Sequence, residues 1–171
     1  MSRTRRSALS ESSWLLGKLV EDGARAIAFV RSRRAAELLA EFARREVPAG
    51  LRDKVKAYRA GYLPEERRAL ERALSSGDLL ALAATSALEL GIDVGSLEAA
   101  VLAGYPGTRA SMWQQAGRAG RRETGSLAVL VAQDDPLDQY LVAHPDDLFE
   151  KPPEAAVVDP TNPYVLEPHL A

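Results

Sequence analysis

The segment Trp113-Gln-Gln-Ala-Gly-Arg-Ala-Gly-Arg-Arg122 combines glycines and arginines in a spacing suited to phosphate chemistry. Gly117 and Gly120 stand three residues apart and favour a tight turn where a helix ends. Arg118 and Arg121 would project from that turn, where a guanidinium group can reach the γ-phosphate of a nucleotide held by another domain. The pattern predicts a pair of arginine fingers, with an ordinary basic surface loop as the alternative.

A second polar segment, Ala84-Thr-Ser-Ala-Leu-Glu-Leu-Gly-Ile-Asp93, lies upstream. Thr85 and Ser86 follow a predicted strand and precede a helical turn, where hydroxyl and backbone N–H groups can hold a phosphate. Asp93 can accept hydrogen bonds from a ribose, and Gly91 allows a close approach of the backbone. An ordinary helix cap and turn is the simpler interpretation of this segment taken by itself.

These residues need elements to position them. Short apolar runs predict five strands, at 25–30, 54–58, 78–84, 96–102 and 126–132, and helical spacing predicts helices at 12–20, 34–46, 64–74, 110–119 and 137–143. Strands that alternate with helices and are apolar on both faces indicate an α/β fold with a parallel sheet flanked by helices on both faces. Right-handed crossovers then place the loops after the strands along one edge of the sheet.

The composition fits one compact domain and excludes several classes of site. The chain has 171 residues, 46% of them hydrophobic, which suffices for a single core. The absence of cysteine excludes disulfides and thiolate chemistry, and with only His144 and His169 we expect no zinc site. No apolar run approaches the roughly 20 residues that span a bilayer, and the N-terminus lacks the apolar stretch of a signal peptide. We therefore expect a cytoplasmic protein without a membrane partner.

The net charge of −2 hides an uneven distribution. Lys and Arg outnumber Asp and Glu by 21 to 15 through Gly125, whereas afterwards there is 1 basic residue against 9 acidic ones. Positive charge on the part that carries the motifs suits a polyanionic partner, although any single arginine is also explained by a solvated helix face. We divide the chain into a domain at 1–133 and an irregular acidic extension at 134–171, either packed on that domain or leading to another.

A phosphate-binding loop of the form Gly-x-x-x-x-Gly-Lys-Ser/Thr is missing from the sequence. Its only Gly-Lys pair, Gly17-Lys18, is followed by leucine. We therefore expect ATP's phosphates to be bound elsewhere. Gln133-Asp-Asp135 superficially resembles a magnesium-binding acidic pair, but a helix cap and surface acids explain it better.

Four segments together resemble the motifs of the superfamily-two helicases. Residues 85–93 resemble motif V, residues 114–121 motif VI, and Phe29-Val-Arg-Ser-Arg-Arg34 motif IV. Tyr58-Arg-Ala-Gly-Tyr-Leu-Pro-Glu-Glu-Arg67 resembles the motif that follows motif IV, with Arg59 in place of the usual histidine. The motifs occur in the expected order and cover about 26–132. The resemblance implies the second, C-terminal RecA-like domain of a helicase motor, a P-loop NTPase fold without a P-loop.

The resemblance also implies roles for single residues. Arg118 and Arg121 would be the arginine fingers, and Gln114 would help to couple the nucleotide to motion. Gly91 and Asp93 would contact the nucleotide. The nucleic-acid track would be lined by Ser32, Arg33, Arg59, Gly61, Thr85 and Ser86. Contacts to phosphate and sugar give binding without base specificity, so the affinity should fall steeply with salt.

Further segments resemble one clade of these helicases, that of the bacterial mitomycin-repair helicases and their mycobacterial and fungal relatives, often compared with the RecQ-four helicases. They are Gly104-Tyr-Pro-Gly-Thr108, residues 113–122, Asp134-Asp-Pro-Leu-Asp-Gln-Tyr140 and Asn162-Pro-Tyr-Val-Leu166. The clade implies a 3′-to-5′ DNA helicase of DNA repair that moves on single-stranded DNA.

In that case ATP and Mg²⁺ are bound mainly by an N-terminal RecA-like domain of the same protein, and this chain alone should not hydrolyse ATP. Two alternatives remain. One is a stand-alone nucleic-acid-binding or regulatory module with a RecA-like fold, and the other is a nucleotide-binding α/β domain of another class.

Overall fold

A single parallel sheet organises the chain, whose computed structural model describes residues 6–58, 61–88, 97–120 and 125–154. Its five strands stand in the order β2-β3-β1-β4-β5. Their bounds are Ala26–Phe29 (β1), Val55–Tyr58 (β2), Ala81–Ala84 (β3), Ala99–Ala103 (β4) and Leu127–Val131 (β5). All four pairings are parallel, which confirms the predicted sheet.

The described part of the chain forms six α-helices around this sheet. They are Ala8–Glu21 (α1), Arg33–Glu46 (α2), Pro64–Ser76 (α3), Arg109–Ala116 (α4), Pro136–Ala143 (α5) and Asp146–Phe149 (α6). Short 3-10 helices occupy Ala49–Lys54 and Ser86–Leu88. The sequence prediction missed α6, because four residues are too few to show helical spacing. Within the described ranges no helix is long and apolar enough to cross a membrane.

Alternation along the strands divides the core between the two faces of the sheet. Ala26 and Ala28 face α1 and α2, whereas Ile27 and Phe29 face the side that carries α3 to α6. The first face is rich in alanine and allows close packing; a Cβ added to Gly17 in α1 would lie only 2.9 Å from Cβ of Glu46. The predicted covering by helices on both faces is therefore present.

The fifth strand departs from the expectation of a strand buried on both faces. Every residue of β1, β3 and β4 is buried, but Leu127 in β5 is 50% exposed and the rest of β5 is exposed or half-buried. Its position at the edge of the sheet explains the difference, because β4 is its only neighbouring strand in the described chain. The apolar run predicted the strand correctly but not its exposure.

The order of the strands creates a crevice at their carboxyl ends. β1 and β4 are neighbours, yet α2 follows β1 on one face while α4 follows β4 on the other. Loops that leave adjacent parallel strands in opposite directions leave a gap between them, which is where open α/β sheets bind their ligands.

Candidate functional site

The start of α2 lies at the carboxyl edge of the sheet and carries two predicted track residues. The Oγ of Ser32 accepts a hydrogen bond of 3.1 Å from the backbone N–H of Ala35 and caps the helix. This use leaves the hydroxyl hydrogen of Ser32 to donate outward. Ser32 and Arg33 are both exposed, and the helix N-terminus adds partial positive charge beside them. The edge thus presents donors suited to a phosphate.

The loop after β2 meets the same point. A Cβ built on Gly61 would lie 4.0 Å from Nη1 of Arg33, so the Arg33 guanidinium reaches across to this glycine. Gly61 is exposed, and its missing side chain leaves the guanidinium open. The sequence assigned Arg33 and Gly61 to different motifs, and the fold brings them together.

Thr85 and Ser86 complete this group at the end of β3. Because β3 lies between β2 and β1, both residues come between Gly61 and Ser32 along the carboxyl edge. Thr85 is half-buried, and its carbonyl accepts a hydrogen bond of 3.3 Å from the N–H of Leu88. Ser86 begins the 3-10 turn and is exposed. An ordinary turn is the simpler interpretation of this segment from its sequence alone. Such a turn is present, and it leaves the Ser86 side chain accessible.

The glycine-rich turn after α4 forms where the sequence predicted it. Gly117 caps the helix, and a Cβ there would lie 2.9 Å from the carbonyl oxygen of Trp113. Gly120 adopts a φ of +99°, and a Cβ there would lie 2.6 Å from Oγ of Ser126. A side chain at either position would therefore distort the turn, which explains the two glycines.

This turn lies at the opposite edge of the sheet from the track residues. Ala119 forms a parallel bridge with Leu97, which precedes β4, so Arg118 stands near the amino ends of the strands. Arg118 is half-buried, and its backbone N–H donates to the carbonyl of Gln115 at 3.1 Å. Gln114 is exposed on α4, one turn earlier. The described residues thus fall into two groups, at opposite ends of the strands.

Four predicted site residues lie outside the described ranges: Arg59, Gly91, Asp93 and Arg121. Their roles stay predictions from the sequence.

The sequence assigned no role to Asp138, which is fully buried at the carboxyl edge. Its Oδ2 accepts hydrogen bonds from the backbone N–H groups of Tyr105, at 3.1 Å, and Gln133, at 2.8 Å. Its Oδ1 lies 3.4 Å from Nη2 of Arg31. One carboxylate thereby ties together the loops after β1, β4 and β5. In the sequence, Asp138 stands only within the segment Asp134–Tyr140, which resembles the clade but for which the resemblance implied no single-residue role.

Gln133 and Gly104 form a second contact between the loops after β5 and β4. Gln133 donates from Nε2 to the carbonyl of Ala103 at 3.1 Å and lies directly against Gly104. Gly104 has a φ of +96°, and a Cβ there would lie 2.4 Å from Nε2 of Gln133. The amide side chain therefore fits only beside a glycine.

Asp135, the second residue of the acidic pair at 134–135, caps α5. Its Oδ1 accepts from the N–H groups of Leu137, at 3.1 Å, and Asp138, at 3.0 Å. The helix-cap interpretation of this residue is confirmed. Among the described residues, no cluster of three His, Cys, Asp or Glu side chains is placed to hold a metal ion.

The start of α4 is fixed by side chains at the carboxyl edge. Thr108 caps the helix by accepting from the N–H of Ser111 at 3.1 Å. The carboxylate of Glu154 accepts from the N–H of Arg109 at 2.9 Å, and this bond, followed by smaller contributions, lowers the pKa of Glu154. Burial raises the pKa of the neighbouring Tyr105 hydroxyl, which keeps this group neutral. The helix that carries Gln114 therefore begins from a well-fixed point.

A small cavity opens between the loops after β1, β3 and β4, with a volume of about 220 Å³. Arg31, Ser86 and the buried Gln115 supply its polar lining. It occupies the crevice that the strand order creates between β1 and β4.

Comparisons with known proteins identify the family of this chain. Residues 10–123 match the model of the helicase conserved C-terminal domain. The chain is 45% identical over 167 residues to an uncharacterized ATP-dependent helicase of Bacillus subtilis, YprA, covering 97% of this chain and 22% of that protein. It is 41% identical over 170 residues to the ATP-dependent helicase hrq1 of Schizosaccharomyces pombe, covering 97% of this chain and 16% of that protein.

Among solved structures, the DUF1998 helicase MrfA bound to DNA and AMPPNP matches with a TM-score of 0.91 and 43% identity, covering 99% of this chain and 24% of that one. This match confirms the RecA-like fold. The chain spans about a fifth of the length of these relatives. It belongs to the family of helicase conserved C-terminal domains.

Proposed function

We propose that this chain is the C-terminal motor domain of an ATP-dependent DNA helicase, which supplies arginine fingers and part of the track for the DNA backbone. The observation that carries the proposal is the separation of the candidate residues. Hydroxyl and guanidinium donors line the carboxyl edge of the sheet, while the arginine-bearing turn lies at the amino edge. A motor needs two such sites, one for the polymer that it moves along and one for the nucleotide that drives it.

The carboxyl edge suits the backbone of single-stranded DNA. Ser32, Arg33, Gly61, Thr85 and Ser86 offer hydroxyl, guanidinium and helix N-terminal donors, which recognise phosphate without reading bases. We place Arg59 in the same track from the sequence. Each charged contact to a phosphate should contribute about 0.7 to the slope of log affinity against log salt for a single strand.

The amino edge suits the nucleotide. Arg118 and Arg121 carry planar guanidinium groups that bind phosphate oxygens in a bidentate manner, and Gly117 and Gly120 shape the turn that presents Arg118. Guanidinium groups bind anions and not cations, so we assign Mg²⁺ and most ATP contacts to an N-terminal RecA-like domain of the same protein. ATP supplies the free energy of phosphoryl transfer when it is bound there. Gln114, Gly91 and Asp93 complete this chain's share of the nucleotide site.

The isolated chain should therefore hydrolyse ATP at no useful rate, and addition of the N-terminal domain should restore hydrolysis that depends on DNA. Arg118→Ala or Arg121→Ala should lower the reconstituted turnover by about 10³-fold or more, the range known for arginine fingers. Arg118→Lys tests whether bidentate binding by the planar guanidinium is needed, because lysine keeps the positive charge but not the planar geometry. ATP turnover with and without single-stranded DNA is the measurement.

Arg72→Ala is the matched control, because Arg72 is an exposed arginine on α3, a helix that carries none of the candidate site residues. Its turnover should equal that of the wild type. If both finger variants keep wild-type turnover, the assignment of fingers is wrong.

We further propose 3′-to-5′ movement and a role in DNA repair, supported by the resemblance to the mitomycin-repair clade. Unwinding by the full-length protein of duplexes with a single-stranded tail at either the 3′ or the 5′ end measures the direction. Faster unwinding from a 5′ tail would contradict the proposal.

A further inference from the structure

We propose that Arg31 is an additional contact to the DNA backbone and that the buried Asp138 is the positioning residue that holds it. This inference rests on the proposed function, because it extends the track at the carboxyl edge. Arg31 lies within the segment that resembles motif IV, but the resemblance gave a track role only to Ser32 and Arg33, and it gave none to Asp138.

Arg31 lies beside a residue of the predicted track. It directly precedes Ser32 and lies at the end of β1, in the centre of the carboxyl edge between β3 and β4. Its side chain lines the cavity of about 220 Å³ that contains Ser86. It also lines a larger groove of about 620 Å³ on the other side, beside Ser32 and the start of α1. Arg31 therefore stands where two openings along the track meet.

The loop after β4 holds the Arg31 guanidinium in one orientation. Nε and Nη2 donate to the carbonyl oxygen of Tyr105, at 3.2 and 2.6 Å, and Nη2 also faces Asp138. Within the part of the chain that the structure describes, Nη1 donates to no acceptor, and the Arg31 side chain is 51% exposed. One side of the planar fork is thus fixed to the protein, and the two N–H groups of Nη1 remain for an external acceptor.

The chemistry of the openings selects an anion as that acceptor. The larger groove carries Arg6 and the capping hydroxyls of Ser7 and Ser32, with Asp134 as its acidic member. Phosphodiester groups match these donors. Arg31 shares the larger groove with Ser32 and the smaller cavity with Ser86, so a bound strand that touches both serines lies close to its guanidinium. The single-stranded DNA backbone is therefore the ligand that we assign.

Asp138 acts through Arg31 and does not reach the DNA itself. It is completely buried, and its carboxylate is already held by the N–H groups of Tyr105 and Gln133. A negative charge near a phosphate weakens DNA binding unless it serves to orient a cation. Removal of the Asp138 charge should therefore strengthen DNA binding if the charge only repels phosphate, and weaken DNA binding if the charge orients Arg31.

The test uses the full-length protein and a fluorescent single-stranded oligonucleotide, with affinity measured between about 50 and 200 mM salt, a range over which phosphate contacts have large effects. Arg31→Gln keeps a donor for Tyr105 but removes the charge. It should weaken binding roughly tenfold at about 0.1 M salt, as expected for a charge-assisted hydrogen bond. It should also reduce the salt slope by about 0.7. Arg45→Gln is the matched control, because Arg45 is 68% exposed and lies at the other end of α2.

Asp138→Asn tests the positioning role. Loss of a negative charge alone should strengthen DNA binding, whereas loss of the anchor should weaken it. We expect it to weaken binding several-fold in the wild-type background and to have no further effect when Arg31 is already glutamine. Equal weakening in both backgrounds, or tighter binding, would overturn the positioning role. Thermal unfolding of each variant separates these effects from loss of folding.

The outcomes distinguish this inference from the proposed function. If Arg33→Gln reduces the salt slope but Arg31→Gln behaves like Arg45→Gln, the contact at Arg31 is refuted and the track remains. If neither Arg33→Gln nor Arg31→Gln changes the slope, the track itself is refuted.

Discussion

Removal of the Asp138 carboxylate should destabilise the domain far more than removal of any exposed acid. Asp138→Ala deletes the acceptor of two backbone N–H groups, those of Tyr105 and Gln133, at 3.1 and 2.8 Å. Tyr105 is buried and Gln133 is half-buried, so water does not fully replace the lost acceptor.

The expected magnitude comes from these two groups. A buried donor left without an acceptor costs about 1–3 kcal/mol. We take about 2 kcal/mol for Tyr105 and about 1 kcal/mol for the more accessible Gln133. The ion pair with Arg31 adds little, because the arginine is half-exposed and its charge is screened. The free energy of unfolding should therefore fall by about 3 kcal/mol, which corresponds to a decrease in Tm of about 6–12 °C for a chain of this size.

Urea unfolding followed by circular dichroism measures this loss. Hydrogen exchange adds a local measurement, because the amides of Tyr105 and Gln133 should lose protection before those of the central strand β1. Asp146→Ala is the matched control, since Asp146 is an exposed acid in the same segment. It should change the stability by less than about 0.5 kcal/mol. A loss below about 1 kcal/mol for Asp138→Ala, or unchanged protection of the two amides, would refute the role of the carboxylate as a buried acceptor.

Three further predictions concern elements around the site. Gly104→Ala should lower the free energy of unfolding in urea by about 2 kcal/mol, because φ at this position is +96° and the added Cβ would displace Gln133. Gly107→Ala is the control, since Gly107 also has a positive φ, of +105°, but has open space around it. It should show only the smaller loss that comes from the backbone conformation. Thr108→Ala should cost about 1 kcal/mol through loss of the α4 cap and Thr108→Ser should restore it, so equal stability of all three proteins would contradict the cap. Burial raises the pKa of Glu98, but its bonds to Arg25 outweigh burial and hold the pKa below the ordinary value of 4.5. This contribution is present above about pH 4.5 and is lost as the pH falls through the lowered pKa, so Glu98→Gln should flatten the acid side of a stability profile measured by thermal unfolding.

The sequence predicted the sheet because its signals are local. Strands such as Ala26–Phe29 are short apolar runs, and parallel strands buried on both faces keep that signature. The turn after α4 could be predicted for the same reason. The atoms that leave no room for a side chain at Gly117 and Gly120 belong to residues within ten positions of them in the sequence. Both kinds of feature are therefore visible in a single sequence.

The features that the sequence did not predict depend on distant partners. Asp138 contacts Tyr105 from 33 residues away and Arg31 from 107 residues away, so no window of sequence reveals its burial. The exposure of Leu127 depends on which strand lies at the edge, which is a property of the topology. The meeting of Arg33 with Gly61 likewise requires the sheet order.

Under the proposed function, α4 is the element through which the two ends of the sheet are joined. It begins at Arg109, directly after its cap Thr108 and beside the carboxyl edge that carries the track, and it leads into the turn of Arg118 at the amino edge. A helix of eight residues is about 12 Å long and is stiff over that length, so a displacement at one end must appear at the other. Gln114 lies on this helix, which gives a physical reason for its predicted role in coupling. Asp138 accepts the hydrogen bond of the Tyr105 N–H and so fixes the loop that precedes α4. The same hydrogen bond therefore fixes the position of the end of α4 that lies at the carboxyl edge.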